Sequence, residues 1–155
     1  MTVIEIRRAA MNLLARREHS RREIIRKLAA RTDSQDLLGV ALDQLELESY
    51  LSDDRFAASY TRSRRNKGFG PVRIAGELRE KGVSEELIAS YVYCPEINWH
   101  VEALIVKRKK FGTGVEDDVA EKAKQSRFLM QRGFKSEYCQ YALSTPEGVV
   151  EAEPT

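Results

Sequence analysis

The chain has 155 residues, 42% of them hydrophobic and 32% charged, which suits a soluble protein of one domain or a short array of small units. Its 26 lysines and arginines nearly balance 24 aspartates and glutamates, so net charge alone names no partner. No run approaches the roughly 20 apolar residues that span a membrane, and MTVIEIRRAAMNLL lacks the apolar core and cleavage site of a signal peptide. The cytoplasm is the expected compartment. Cys94 and Cys139 are too few and too far apart for a disulfide framework or a zinc site, and are expected as buried, reduced thiols.

The first segment reads as a helix over about Ile4–Arg17, with Ile6, Ala10, Leu13 and Leu14 at helical spacing. Ser20-Arg21-Arg22-Glu23 has the spacing of a capping box and opens a second helix with Ile24, Ile25 and Leu28 on one side. A polar break at Thr32-Asp33-Ser34 precedes a third, whose face holds Leu37, Leu38, Ala41, Leu42 and Leu45.

The middle stretch, Tyr50 to Val83, is the most strongly marked. Ser52 is an N-cap, and Asp53 and Asp54 put negative charge on the first turn, where the helix dipole favours it. Phe56 and Tyr60 fall on one face. The helix stops at Gly68-Phe69-Gly70, Pro71 begins the next, Ile74 and Leu78 carry the stripe, and Gly82 suits a left-handed C-cap. Ser84 caps a third helix with Leu87, Ile88, Tyr91 and Val92, and Pro95 marks a boundary.

The last segment repeats the plan. Trp99 to Phe111 is helical, with Val101, Leu104 and Ile105 apolar, and Gly112 and Gly114 end it. A second helix runs from about Asp117 through Phe128 and Leu129 to Gly133. A third follows Ser136, with Tyr138, Tyr141 and Ala142 on its apolar side. Glu147, Glu151 and Glu153 mark an acidic tail, expected to be disordered.

These segments align with one another. Leu28, Leu78 and Leu129 correspond at steps of 50 and 51, as do Leu38, Ile88 and Cys139. Gly82 and Gly133 also match, with Thr32 in that place in the first copy. Such a period signals stacked helical units, each unable to bury its apolar face alone. No proline interrupts a helix and no β-branched alternation appears, so the expected fold is all-α. The expected units are 1–48, 49–94 and 95–144, three helices each, in an elongated and curved body with 145–155 as a tail.

Catalytic chemistry leaves little trace. His19 and His100 lie in different units, outside any metal-ligand spacing. Cys139 falls on an apolar face, where packing is the simpler role than nucleophilic catalysis. Gly68-Phe69-Gly70-Pro71 lacks the glycine spacing and Lys-Ser/Thr of a phosphate loop and reads as a turn. Neither an active site nor a cofactor is expected. The positive charge is uneven, and Arg62, Arg64, Arg65, Lys67 and Arg73 with Lys107, Arg108, Lys109 and Lys110 form a candidate anion-binding surface. Arginine forks favour specific recognition of phosphate or carboxylate; solvated outer helix faces would give the same pattern. Phe69 and Phe111 are the aromatic residues beside basic runs, too few for extended base stacking.

LLARREHSRREIIRKLAAR, YLSDDRFAASYTRSRRNKGFGPVRIAGELREKGVSEELI and FLMQRGF together resemble the RecX family of bacterial recombination regulators, over about Ala10–Ala142. The chain departs at Ser49, where members usually carry glycine, and at Leu51-Ser52-Asp53-Asp54, where they often carry Leu-Asp-Asp. The resemblance implies three tandem three-helix repeats without catalytic residues or cofactor. It implies a cytoplasmic regulator, expected as a monomer, that binds RecA and the RecA–DNA filament and inhibits recombinase, ATPase and SOS co-protease activities. Members are thought to occupy the filament groove, blocking growth or promoting disassembly, and some bind DNA directly. The basic residues above would then face RecA or DNA. A nonspecific DNA-binding protein that competes with RecA for DNA is the alternative.

Overall fold

The computed structural model describes residues 1–146, so the expected acidic tail from Glu147 lies outside the described residues. Among the described residues there are nine α-helices, one 3-10 turn and no strand. They are α1 (Val3–Leu14), α2 (Arg21–Leu28), α3 (Gln35–Leu47), α4 (Asp53–Asn66), α5 (Pro71–Glu80), α6 (Glu85–Tyr91), α7 (Trp99–Phe111), α8 (Val119–Gln131) and α9 (Ser136–Ser144), with the 3-10 turn at Ala29–Arg31. The chain packs into two compact units: residues 1–60 with 78–88, and residues 61–77 with those from 89 on.

In the first unit α1 packs on α2 and α3. Thr2 and Glu5 form a capping box at α1, and Ser20 and Glu23 form the expected one at α2. The α1 helix ends at Leu14, short of Arg17, whose guanidinium instead reaches Glu23 at 3.2 and 3.1 Å. Ile6, Ala10, Ile24, Leu28, Leu38, Ala41, Leu42 and Leu45 make the core. On α3 the stripe Leu38, Ala41, Leu42 and Leu45 holds the i, i+3, i+4, i+7 positions, which leaves Leu37 at the exposed edge of the face. The Ser52 hydroxyl accepts the Arg55 N–H at 3.1 Å and caps α4. Asp53 does more than offset a dipole: its Oδ1 accepts the Arg21 N–H at 2.8 Å, at the start of α2. Phe56 and Tyr60 stack at 5.4 Å on one face of α4, as their spacing predicts.

In the second unit Pro71 is the first residue of α5. Asn98 caps α7 by accepting the N–H groups of His100 and Val101, and Asp118 caps α8 through Glu121. Against α7 pack α8 and α9. The Trp99 indole N–H donates to the Val92 carbonyl at 2.8 Å, and its ring meets Phe134 edge-on at 6.4 Å. Leu104, Leu129, Phe134, Cys139 and Ala142 are buried in the same unit. Cys94 is only partly buried, so one thiol, not two, belongs to the core. Across the repeat, Leu28, Leu78 and Leu129 are all buried, as are Leu38, Ile88 and Cys139.

Candidate anion-binding surface

The C-terminal turns of α4 end in Arg62, Arg64 and Arg65, where the carbonyl end of a helix favours cations. They do not act alike. Arg64 grips Glu77 of α5 as a fork, Nε and Nη2 donating at 2.9 and 3.0 Å. Arg73 shares that carboxylate at 3.6 Å. Both guanidinium groups lie over the Phe69 ring, 3.9 and 4.3 Å from its centre, with Arg132 at 4.9 Å. Arg64, Arg73 and Phe69 are therefore largely committed to holding the turn between α4 and α5. Arg65 Nη2 donates to Glu102 of α7 at 2.7 Å, while its Nε–H has no acceptor among the described residues. Arg62 and Lys67 are exposed and form no ion pair among the described residues.

On α7 the expected run of four cations divides. Lys109 and Lys110 are exposed. Lys107 does not belong to the surface: it is 3% exposed, and its ammonium donates to the carbonyls of Gly112 and Gly114 at 3.1 and 2.6 Å. It closes the turn after the helix, where orphan carbonyls need a donor. Burial and the neighbouring Arg108 charge lower its pKa from the usual lysine value. Arg108 is half-buried and donates to the Pro146 carbonyl at 3.2 Å.

Arg65, Lys67, Lys109, Lys110 and Arg132 surround a cavity of about 340 Å³, with Gly68, Ile105, Val106 and Phe128 as its apolar lining. Arg132, half-buried and donating to the Lys67 carbonyl at 3.3 Å, is not among the sequence candidates, although the repeat marks its position. It precedes Gly133 as Lys81 precedes Gly82, 51 residues earlier. Phe111 turns inward against Phe128, edge-on at 5.3 Å.

The remaining candidates have structural roles. His100 sits edge-on against Tyr138 and Tyr141, at 4.7 and 5.4 Å. His19 is buried, with Nδ1 3.0 Å from the Arg17 carbonyl and Nε2 3.0 Å from the Lys27 ammonium. A carbonyl and an ammonium on opposite nitrogens place the proton on Nδ1 of a neutral ring. The Cys139 thiol is buried and its pKa raised by burial, which suits packing.

Tandem three-helix units define a helical-repeat protein, and its second unit carries a cationic hollow with an apolar floor. Residues 52–91 match the second three-helix domain of RecX, and residues 102–143 match the third. The regulatory protein RecX of Halorhodospira halophila is 40% identical over 142 residues, 92% of this chain and 88% of that one. RecX of Pseudomonas fluorescens strain SBW25 is 39% identical over 92% of both chains. The crystal structure of RecX from Lactobacillus salivarius superposes with a TM-score of 0.74 at 19% identity, covering 90% of this chain and 93% of that one. The chain belongs to the RecX family of regulatory proteins.

Proposed function

We propose that this protein regulates the recombinase RecA, binding RecA and RecA–DNA filaments and inhibiting strand exchange, ATP hydrolysis and the co-protease activity behind the SOS response. The observation that carries this reading is 40% identity to a regulatory protein RecX across 92% of the chain. The protein acts as a cytoplasmic monomer of three repeats, 1–48, 49–94 and 95–144, seated in the filament groove. Several weak contacts with successive protomers raise the effective concentration of each further one. Preferential binding to an inactive filament arrangement shifts the filament toward it by the difference in affinity. Growth is then blocked or disassembly promoted.

The exposed cations Arg62, Lys67 and Lys109 are the first to test, because Arg65 and Arg73 already bind Glu102 and Glu77. Replacing all three with glutamate is expected to abolish inhibition of DNA-dependent ATP hydrolysis by RecA while helical content is unchanged. Undiminished inhibition sinks the assignment of this surface. The cationic surface also favours direct DNA binding, with inhibition by competition. In that case inhibition disappears on preassembled filaments that leave no free DNA, and it falls steeply with salt.

A further inference from the structure

The hollow in the second unit has a feature that a solvated basic face does not need. Its floor is apolar, and Ile105 stands 43% exposed among lysines and arginines. Of the charged side chains around it, five are cations and one is the carboxylate Glu102, itself bound by Arg65. We propose that this hollow is a docking pocket for an acidic peptide segment of the protein partner. One apolar side chain of that segment sits on Ile105 and Val106, and flanking Asp or Glu carboxylates meet Lys67, Lys109 and Arg132. The proposal rests on the regulatory reading above and gives its protein contact a place and a chemistry.

Size and charge select this occupant. A volume of about 340 Å³ is at the small end of ligand pockets, enough for one anchoring side chain. Nucleic acid satisfies the rim but not the floor. A base needs a free aromatic face, and Phe128 already has Lys110 and Arg132 over its ring at 5.4 and 5.1 Å and Phe111 at its side. The ring of Phe69 is likewise taken by three arginines. Aliphatic contact remains open at Ile105, and aliphatic contact is what a peptide anchor supplies.

The test places the photo-crosslinker p-benzoylphenylalanine at position 105 of the full chain, with position 4 as the control, in the presence of RecA filaments on poly-dT. Crosslinks from position 105 are expected in a RecA segment where an apolar residue lies between acidic ones. Crosslinks to DNA, or to a segment without that pattern, overturn the proposal. Ile105→Asp is expected to weaken filament binding about tenfold or more, and Ile4→Asp, at another exposed site, less than about twofold. Equal binding by Ile105→Asp removes the pocket and leaves the RecA reading standing. If the wild-type chain does not bind filaments, the RecA reading fails instead. The pocket is then judged with a fluorescein-labelled Asp-Glu-Leu-Glu-Asp peptide. Its binding must be lost on changing the peptide Leu to Ser or on Ile105→Asp, and a peptide held equally well after either change overturns the pocket.

Discussion

Gly70 and Gly133 pack backbone against backbone. The Gly70 N–H donates to the Arg132 carbonyl at 2.8 Å, the Val72 N–H donates to the Gly133 carbonyl at 3.0 Å, and a Cβ on Gly70 would lie 2.6 Å from Gly133 carbonyl atoms. Gly133 has φ of 100°, and a Cβ there would strike Arg73. Thus the turn between α8 and α9 is seated on the first turn of α5. The first unit contains the same joint. The Ser20 hydroxyl donates to the Lys81 carbonyl at 2.7 Å, and Gly82, with φ of 81°, lies against Arg22 at the start of α2. Even the arginine contact recurs: Arg22 reaches the Arg79 carbonyl and Arg73 the Gln131 carbonyl, each at 3.5 Å.

Close backbone approach makes these joints intolerant of a single methyl group. Gly70→Ala and Gly133→Ala are expected to destabilise the protein by about 2 kcal/mol or more, since backbone on both sides must shift. Gly39 and Gly76 are the controls: both are helical, with nothing within 4 Å of an added Cβ. Alanine at either should add roughly 0.5–1 kcal/mol. Urea unfolding followed by circular dichroism separates the two classes, and destabilisation by all four would discard the explanation.

The joint explains why the repeat could be read in the sequence. Leu28, Leu78 and Leu129 recur because each packs a second helix, and Gly82 and Gly133 recur because each turn must approach another backbone. Helix boundaries were legible wherever a cap carried them, as at Ser20, Ser52, Ser84 and Gly133. Partner choices among charges were not. Arg64 and Arg62 are two residues apart, yet one is bound to Glu77 and the other is exposed. Lys107 looked like its neighbours Lys109 and Lys110, but a step of two or three residues turns it to the buried side of α7. Gly112 and Gly114 carbonyls wait there, a destination that periodicity does not mark. Ile105 is the converse, an apolar residue at the edge of the helix face.

Ser49 offers a second test of backbone strain. It has φ of 65° at the end of α3, where its N–H bonds the Glu46 carbonyl and the Tyr50 N–H bonds that of Leu45. This is a Schellman ending, which glycine usually completes. A non-glycine residue in the left-handed region costs about 1–2 kcal/mol, partly offset by the greater chain entropy that glycine loses on folding. Ser49→Gly is therefore expected to stabilise the protein by roughly 0.5–1 kcal/mol, read as a higher urea midpoint with an unchanged slope. A lower midpoint would mean that the serine side chain contributes something its backbone does not reveal.

Acid should act first on the first unit. Glu23 is 8% exposed, and although burial raises its pKa, the Arg17 guanidinium, the Ser20 N–H and the Lys81 charge bring it down to about 2. Its folded pKa is below the unfolded value, so the contribution is complete above about pH 4.5 and is lost as pH falls toward 2. The depression corresponds to roughly 3 kcal/mol. Burial also lowers the pKa of His19, helped by the Arg17 and Lys27 charges. That sign is the same: stability is complete above pH of about 6.5 and declines as pH falls below it. The wild type should lose stability in two stages, and Glu23→Gln should remove the lower one. A wild-type stability profile flat from pH 7 to 3 would refute both assignments.

Lys107 and Lys109 allow stability and binding to be separated on one helix. Lys107→Met keeps the aliphatic stem but leaves the Gly112 and Gly114 carbonyls without their buried donor, at a cost of about 1–3 kcal/mol. Lys109→Glu changes only an exposed charge, so stability should move by less than about 0.5 kcal/mol. The binding effects should be reversed. On the proposed RecA reading, Lys109→Glu is expected to weaken attachment to RecA filaments and lessen its salt dependence, whereas Lys107→Met is expected to bind normally wherever it remains folded. Thermal melts and filament pull-downs on the same two variants make the comparison. If Lys107→Met melts like the wild type and loses binding, the lysine belongs to the partner surface after all, and its contacts with the turn are incidental.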